Sequence, residues 1–247
     1  MAGLALSFGA SAQLTSKKGE MILPEEGDWS LGFSANPFLN YAGNFFSQAG
    51  NTAPTANAIF GDMTITGKYF VSENFAYRGR ARLGLTSNKF NTVTNEGTVD
   101  NPDIKVDQTT VNNTNIVIGG GVEHRHGTTR IQGYCGADGL IRLTDSKTSI
   151  DYESTLTGAQ RTTEVNTGMG FGLTARGFAG VEIFVFPKTS IGFEYGWGLG
   201  FFTGGDTETT YELQNGETTT NQTGAGGSSF GVDNDVTGGN ISINFFF

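Results

Sequence analysis

Apolar and polar positions alternate one for one in eight stretches of the chain, the period that sends successive side chains to opposite faces of a β-strand. The last stretch is the plainest: Ile241, Ile243, Phe245 and Phe247 share a parity against Asn240, Ser242 and Asn244. The first sets Trp29, Leu31, Phe33 and Ala35 against Ser30, Gly32, Ser34 and Asn36. Met63, Ile65, Tyr69 and Val71 then oppose Asp62, Thr64, Thr66 and Lys68; Phe75, Tyr77, Ala81, Leu83 and Leu85 oppose Arg78, Arg80, Arg82 and Thr86. A fourth strand carries Ile116, Ile118 and Val122 against Asn115, Gly119, Gly121 and Glu123. A fifth carries Ile131, Cys135, Ala137, Ile141 and Leu143 against Gln132, Tyr134, Asp138 and Arg142. The sixth sets Met169, Phe171, Leu173, Ala175, Val181 and Ile183 against Gly170, Gly172, Thr174, Arg176 and Glu182. The seventh sets Ile191, Phe193, Tyr195, Trp197, Leu199 and Phe201 against Ser190, Glu194 and a run of glycines.

The connections have a rhythm of their own. Long polar segments near 40–60, 87–110, 144–163 and 203–235 alternate with short turns at 72–74, 127–128 and 186–188. An up-and-down meander puts every long segment at one end and every turn at the other. The pattern predicts an all-β fold, a closed antiparallel eight-stranded barrel with four long loops on one side.

Alternation alone does not say which parity faces outward. In a soluble barrel of the lipocalin kind the apolar set fills the middle. Here the polar parity is rich in glycine, threonine and asparagine, a poor face to offer to water. The apolar parity carries Trp29, Tyr69, Tyr77, Trp197 and Phe201, aromatics suited to the girdles of a membrane interface. The expectation is therefore a transmembrane barrel, apolar outside and polar within.

Composition narrows the picture. Apolar residues make up 36% and charged residues 16%, with 38 glycines and 20 phenylalanines. No uninterrupted apolar run reaches the length of a spanning helix. The net charge of -9 excludes a nucleic-acid partner, which needs a basic surface. The single cysteine, Cys135, rules out an intrachain disulfide and reads as an inert packing residue.

Eight strands leave a lumen filled by side chains rather than water. The inward parity brings Lys68, Arg78, Arg80, Arg82 and Arg176 together with Asp62, Glu123, Asp138, Glu182 and Glu194. An isolated charge in such a place costs several kcal/mol, so the two sets are expected to pair into a network that plugs the barrel. The ladder Arg78, Arg80 and Arg82 has a second reading, as an anion path.

Other motifs read blandly. His124 and His126 share a face at a turn with no third ligand near them in sequence, and are expected to face solvent or headgroups. Gly119, Gly120 and Gly121 lack the lysine and helix of a phosphate loop and suit crowded interior packing. The acidic segment with Asp206, Glu208, Glu212, Glu217, Asp233 and Asp235 matches no calcium loop and reads as a solvated loop. No catalytic residue, metal site or cofactor is expected.

The chain divides into residues 1–12, an apolar stretch ending Ala10-Ser11-Ala12 like the end of a secretory signal; residues 13–26, a polar periplasmic lead-in; and residues 27–247, the barrel. The loop rhythm, the late hairpin from Gly180 to Glu194 and the closing strand together resemble the small outer-membrane β-barrels of Gram-negative bacteria, OmpX and the barrel of OmpA. That resemblance implies an outer-membrane location, with outer-membrane lipid and lipopolysaccharide around the wall. It also implies insertion by the outer-membrane assembly machinery, with Ile241, Ile243, Phe245 and Phe247 as the assembly signal. The function it implies is structural or interactive: a non-enzymatic anchor displaying loops to an envelope complex or an extracellular partner. A narrow porin-like channel is the alternative. An outer-leaflet lipid-modifying enzyme is disfavoured because both histidines fall at the opposite end.

Overall fold

A computed structural model describes residues 14–34, 65–232 and 239–247. The signal-like residues 1–12, Asp62, Met63, Asp233 and Asp235 lie outside them.

Twelve strands form, in chain order: β1 (Trp29–Ser34), β2 (Ile65–Ser72), β3 (Phe75–Asn95), β4 (Ile104–His126), β5 (Ile131–Asp151), β6 (Gln160–Asn166), β7 (Gly170–Phe186), β8 (Thr189–Thr203), β9 (Thr207–Leu213), β10 (Thr218–Gly224), β11 (Ser228–Val232) and β12 (Gly239–Phe246). Eight of them close a barrel. Each of β1 to β5 pairs antiparallel with the next, then β5 with β7, β7 with β8 and β8 with β12. β12 returns to β1, with Leu31 opposite Phe245 and Phe33 opposite Ile243. These eight strands coincide with the eight alternating stretches of the sequence.

The remaining strands are continuations of the wall. β6 leads into β7 after a break at 167–169, and β9 continues β8 after a break at 204–206. β6 pairs with β5 and β9, and β9 with β10. β11 pairs with the end of β8. Within the described residues, the segments 87–110, 144–163 and 203–232, expected to be loops, are thus largely β, while the segment near 40–60 lies outside them. β3 runs to Asn95, ten residues past Leu85, which is roughly 34 Å of extended chain. Its partner β4 begins at Ile104. The faces of these extensions are largely polar, with Phe90, Val93, Ile104, Val106 and Val111 scattered over both, so no sustained alternation marks them as strands in the sequence.

The outer wall is apolar and the interior ionic. Phe193 is 51% exposed and Trp197 54%, while Glu194 between them is 5% exposed. On β8 the apolar outward run from Ile191 to Phe201 spans ten residue steps, roughly 33 Å along the strand and about 25 Å of height at an ordinary barrel tilt. The Trp29 and Tyr69 rings pack tilted with centres 4.7 Å apart near the short-turn end, with Tyr77 across from Tyr69. On β8, opposite Gly177 and Leu173 of β7, Phe201 ends the apolar run, while Trp197 stands nearer its middle than the girdle position expected of it. Cys135 also faces outward, exposed on the wall, rather than packing inside; its odd position places it on the apolar parity. No helix of the described residues is long and apolar enough to cross a membrane, which says nothing of a barrel.

Inside, glycines make room for long side chains. A Cβ on Gly196 would lie 2.5 Å from Nη1 of Arg176, and one on Gly180 would lie 2.4 Å from the Tyr134 ring. Gly119 and Gly121 are crowded against Gly139–Leu140 and Ala137–Asp138, so the triple glycine serves strand packing. The alternation of glycine with arginine, glutamate and tyrosine is a volume match.

Candidate functional site: an ionic lumen with an aromatic floor

β2, β3, β4, β5, β7 and β8 each aim charged residues at the barrel axis, and the register sets their heights. At the short-turn end Arg125 of β4 forms ion pairs with Glu123 (Nε to Oε1, 3.3 Å) and with Glu182 of β7. Lys68 donates to Glu123 at 2.9 Å and lies 3.9 Å from Glu182. Glu182 also accepts from Ser190 Oγ at 2.5 Å and Asn244 Nδ2 at 2.6 Å. One layer up, Arg78 reaches Glu123 at 3.4 Å and Glu194 at 2.8 Å. Arg176 grips Asp138 with two hydrogen bonds, 3.0 and 2.9 Å, and adds one to Glu194 at 2.7 Å. Arg80 tops the layer, 3.5 Å from Asp138 and 3.7 Å from Glu194.

Burial makes these contacts matter. Glu123 and Glu182 are 0% exposed, and Lys68, Arg78, Asp138, Arg176 and Glu194 are each 5% exposed. Removing one partner leaves a charge with neither water nor counter-ion, at a cost of several kcal/mol. Aromatic rings fill the gaps: the Arg78 guanidinium sits 3.9 Å from the Phe178 ring centre, and the Lys68 ammonium 4.8 Å from that of Tyr134.

Below the ions lies an apolar floor. Phe70, Ala76, Phe184 and Phe246 point inward at the short-turn end, and Ile22 of the lead-in packs against them. Phe246 centres 5.8 Å from Phe70 and 5.3 Å from Phe184. Arg125 rests on these rings, 5.2 to 5.8 Å from their centres. The lead-in is held in place by the chain it covers. Phe70 donates to Asp28 O, Gly27 to Phe70 O and Lys188 to Ile22 O, while the Lys188 ammonium pairs with Asp28. Lys188 takes a left-handed turn conformation (φ 54) between β7 and β8. Residues expected to be a polar tether instead cork the mouth, because Leu14, Ile22 and Leu23 are apolar enough to join the floor.

Of the ten charges picked out by parity, the structure brings together Lys68, Arg78, Arg80, Glu123, Asp138, Arg176, Glu182 and Glu194. Arg82 stands one step higher on β3, half-buried, and Asp62 is outside the described residues. Arg125 joins the network unpredicted; its spacing of two from Glu123 is the signal in the sequence that puts it on the inward face. The inward phenylalanines at 70, 178, 184 and 246 were missed because they sit on the polar parity. His124 and His126 face outward with their rings stacked 4.4 Å apart.

Above the wall the hairpins are tied together by carboxylates. Asp107 accepts from the backbone of Glu153 (3.0 Å) and Ser154 (2.9 Å) and from the Ser154 hydroxyl (2.7 Å). Glu96 accepts from the Thr155 backbone (2.5 Å) and hydroxyl (2.8 Å). Arg161 donates to Ser154 O at 2.6 Å and to Glu212 at 2.7 Å. The segment between β5 and β6 is thereby fastened to the β3–β4 hairpin and to β9. Among the described residues no group of three or more histidine, cysteine, aspartate or glutamate side chains is arranged to hold a metal. No protein-family model matches the chain, and no curated protein matches it.

Proposed function

We propose that this protein is a transmembrane barrel of the bacterial outer membrane, a structural anchor that presents its polar hairpins to a binding partner. The observation that carries the reading is the inverted wall: exposed Phe193, Tyr195 and Trp197 outside, buried Arg176 and Glu194 inside. Water disfavours such a wall and lipid favours it, since an exposed apolar belt of this extent calls for an apolar surrounding. Outer-membrane lipid and lipopolysaccharide are the neighbours this assigns, and the assembly machinery of that membrane the route of insertion. The hairpins β3–β4 and β9–β10 and the β5–β6 connection, cross-tied by Asp107, Glu96 and Arg161, form the displayed surface. An envelope complex or an extracellular partner is what they would meet, and no catalytic role is proposed.

The channel reading fares worse. The ion layers and the Phe70–Phe184–Phe246 floor occupy the cross-section through which a solute would pass. Three experiments test the proposal together. Fractionation should place the protein in the outer membrane, and planar-bilayer recording should give no stable unitary currents. Replacing residues 87–110 with a short turn should leave a folded barrel and abolish capture of the partner from native membranes. Recovery in the soluble fraction, or large steady conductance, would refute the reading.

A further inference from the structure

The protein is acidic overall, with a net charge of -9, yet the described part of its lumen carries more cations than carboxylates. Among the described residues up to the height of Arg142, and setting Arg82 aside, the inward side chains comprise six cations (Lys68, Arg78, Arg80, Arg125, Arg142 and Arg176) against four carboxylates (Glu123, Asp138, Glu182 and Glu194). The surplus is concentrated on the hairpin side. Arg142 of β5 points inward beside Gly172, where a glycine Cβ would come within 3.3 Å of its own Cβ. It is half-buried, and no described residue makes an ion pair or hydrogen bond with its guanidinium. Arg80 is nearly as unoccupied: its Nη1 makes no hydrogen bond, and its nearest carboxylates are at 3.5 and 3.7 Å.

The register puts the two within reach of one another. Arg80 pairs with Gly119 and Gly119 with Leu140, so Arg142 is two strands across and two residues up. That is a Cα separation of about 12 Å, which two arginine side chains reaching inward can bridge from opposite ends. On the facing wall a Cβ on Gly200 would meet only the Thr174 hydroxyl, at 3.8 Å, and the Phe202 ring stands above it beside Gly172. Below, Arg78, Glu194, Arg176 and Asp138 close the space.

We infer that the hairpin-side half of the lumen is a blind oxyanion site in which Arg142 and Arg80 grip a phosphate or carboxylate group. Guanidinium forks match the oxygens of such groups in pairs. An anion held there neutralises part of the buried surplus, so binding couples to barrel stability. This site is independent of which membrane, if any, surrounds the wall.

The test uses the full chain folded in detergent, with inorganic phosphate and acetate as separate probes against chloride at matched ionic strength. Phosphate should raise the thermal unfolding temperature of the wild type above its value in chloride. Arg142→Gln, which removes no ion pair of the plug, should fold with the same electrophoretic mobility and lose affinity by roughly tenfold or more. Acetate acting as well as phosphate identifies the carboxylate as sufficient; phosphate alone acting identifies a tetrahedral dianion. Equal responses of wild type and Arg142→Gln, or no response of the wild type to either probe, would overturn the site.

Discussion

Arg176 and Asp138 are register partners across β5 and β7, and they close a two-bonded fork, 3.0 and 2.9 Å, in the middle of the barrel. The same arginine reaches Glu194 of β8, so a single side chain ties three strands through the lumen. Fork geometry of this kind is the strongest ionic contact available to a side-chain pair, and here both partners are 5% exposed.

Breaking it from one side should be costly. Asp138→Ala leaves the guanidinium with only Glu194, and the loss expected is about 3–5 kcal/mol, read as a shift of the urea midpoint for folding into vesicles. Asp138→Leu combined with Arg176→Leu should recover much of that loss, since neither charge is then left unpaired. A single mutant as stable as the wild type would mean that the fork contributes nothing.

The glycines should divide by face. Gly180→Ala drives a methyl to within 2.4 Å of the Tyr134 ring and 2.5 Å of Phe193 O, and should lower folding yield severely. Gly67→Ala, on the outer wall with Ser30 O at 3.9 Å, should fold normally. Heat-modifiable mobility on gels separates the two outcomes.

The upper latch should release in acid. Hydrogen bonds from the Ser154 hydroxyl and backbone hold the Asp107 carboxyl below its ordinary value. A depressed carboxylate stabilises its state above the ordinary aspartate range, near pH 4, and that contribution disappears as pH falls through the lowered value. Hydrogen exchange in residues 152–159 should therefore stay slow at pH 5 and accelerate well below pH 4. Asp107→Asn should show fast exchange there at neutral pH. Exchange insensitive to both would remove the latch from the account.

Much of this was legible in the residues because one face of each barrel strand is apolar and the other is not. Where that contrast holds, as from Ile191 to Phe201, period two identifies the strand and its parity sorts Glu194 from Phe193. Where both faces are largely polar, as from Ser87 to Asn95, the same backbone leaves no trace and a strand reads as a loop. Pairing between ions is a third matter. Parity put Asp138 and Arg176 in one space, but only register made them neighbours, and nothing local to the lead-in showed that Ile22 would meet Phe184 and Phe246. Arg125 lies in plain view two positions from Glu123, with a histidine on either side of it.

A charge placed on the outer wall offers a graded test of the surroundings. Phe193→Arg, at the apolar belt, should cost about 2–4 kcal/mol for folding into a bilayer, while an arginine at Thr110, on the β4 extension, should cost little. Equal costs at the two sites would argue that the wall meets the same medium throughout.

The two tryptophans provide the most direct measurement. Both face outward, Trp29 at the short-turn rim and Trp197 near mid-height on β8. In vesicles of lipids brominated at defined depths, Trp29→Phe isolates Trp197, whose fluorescence should be quenched most by bromines deep in the acyl chains and little by aqueous acrylamide. Trp197→Phe should leave Trp29 quenched best by bromines near the headgroups. Strong acrylamide quenching of Trp197 with no response to brominated lipid would place the aromatic wall in water and contradict the account.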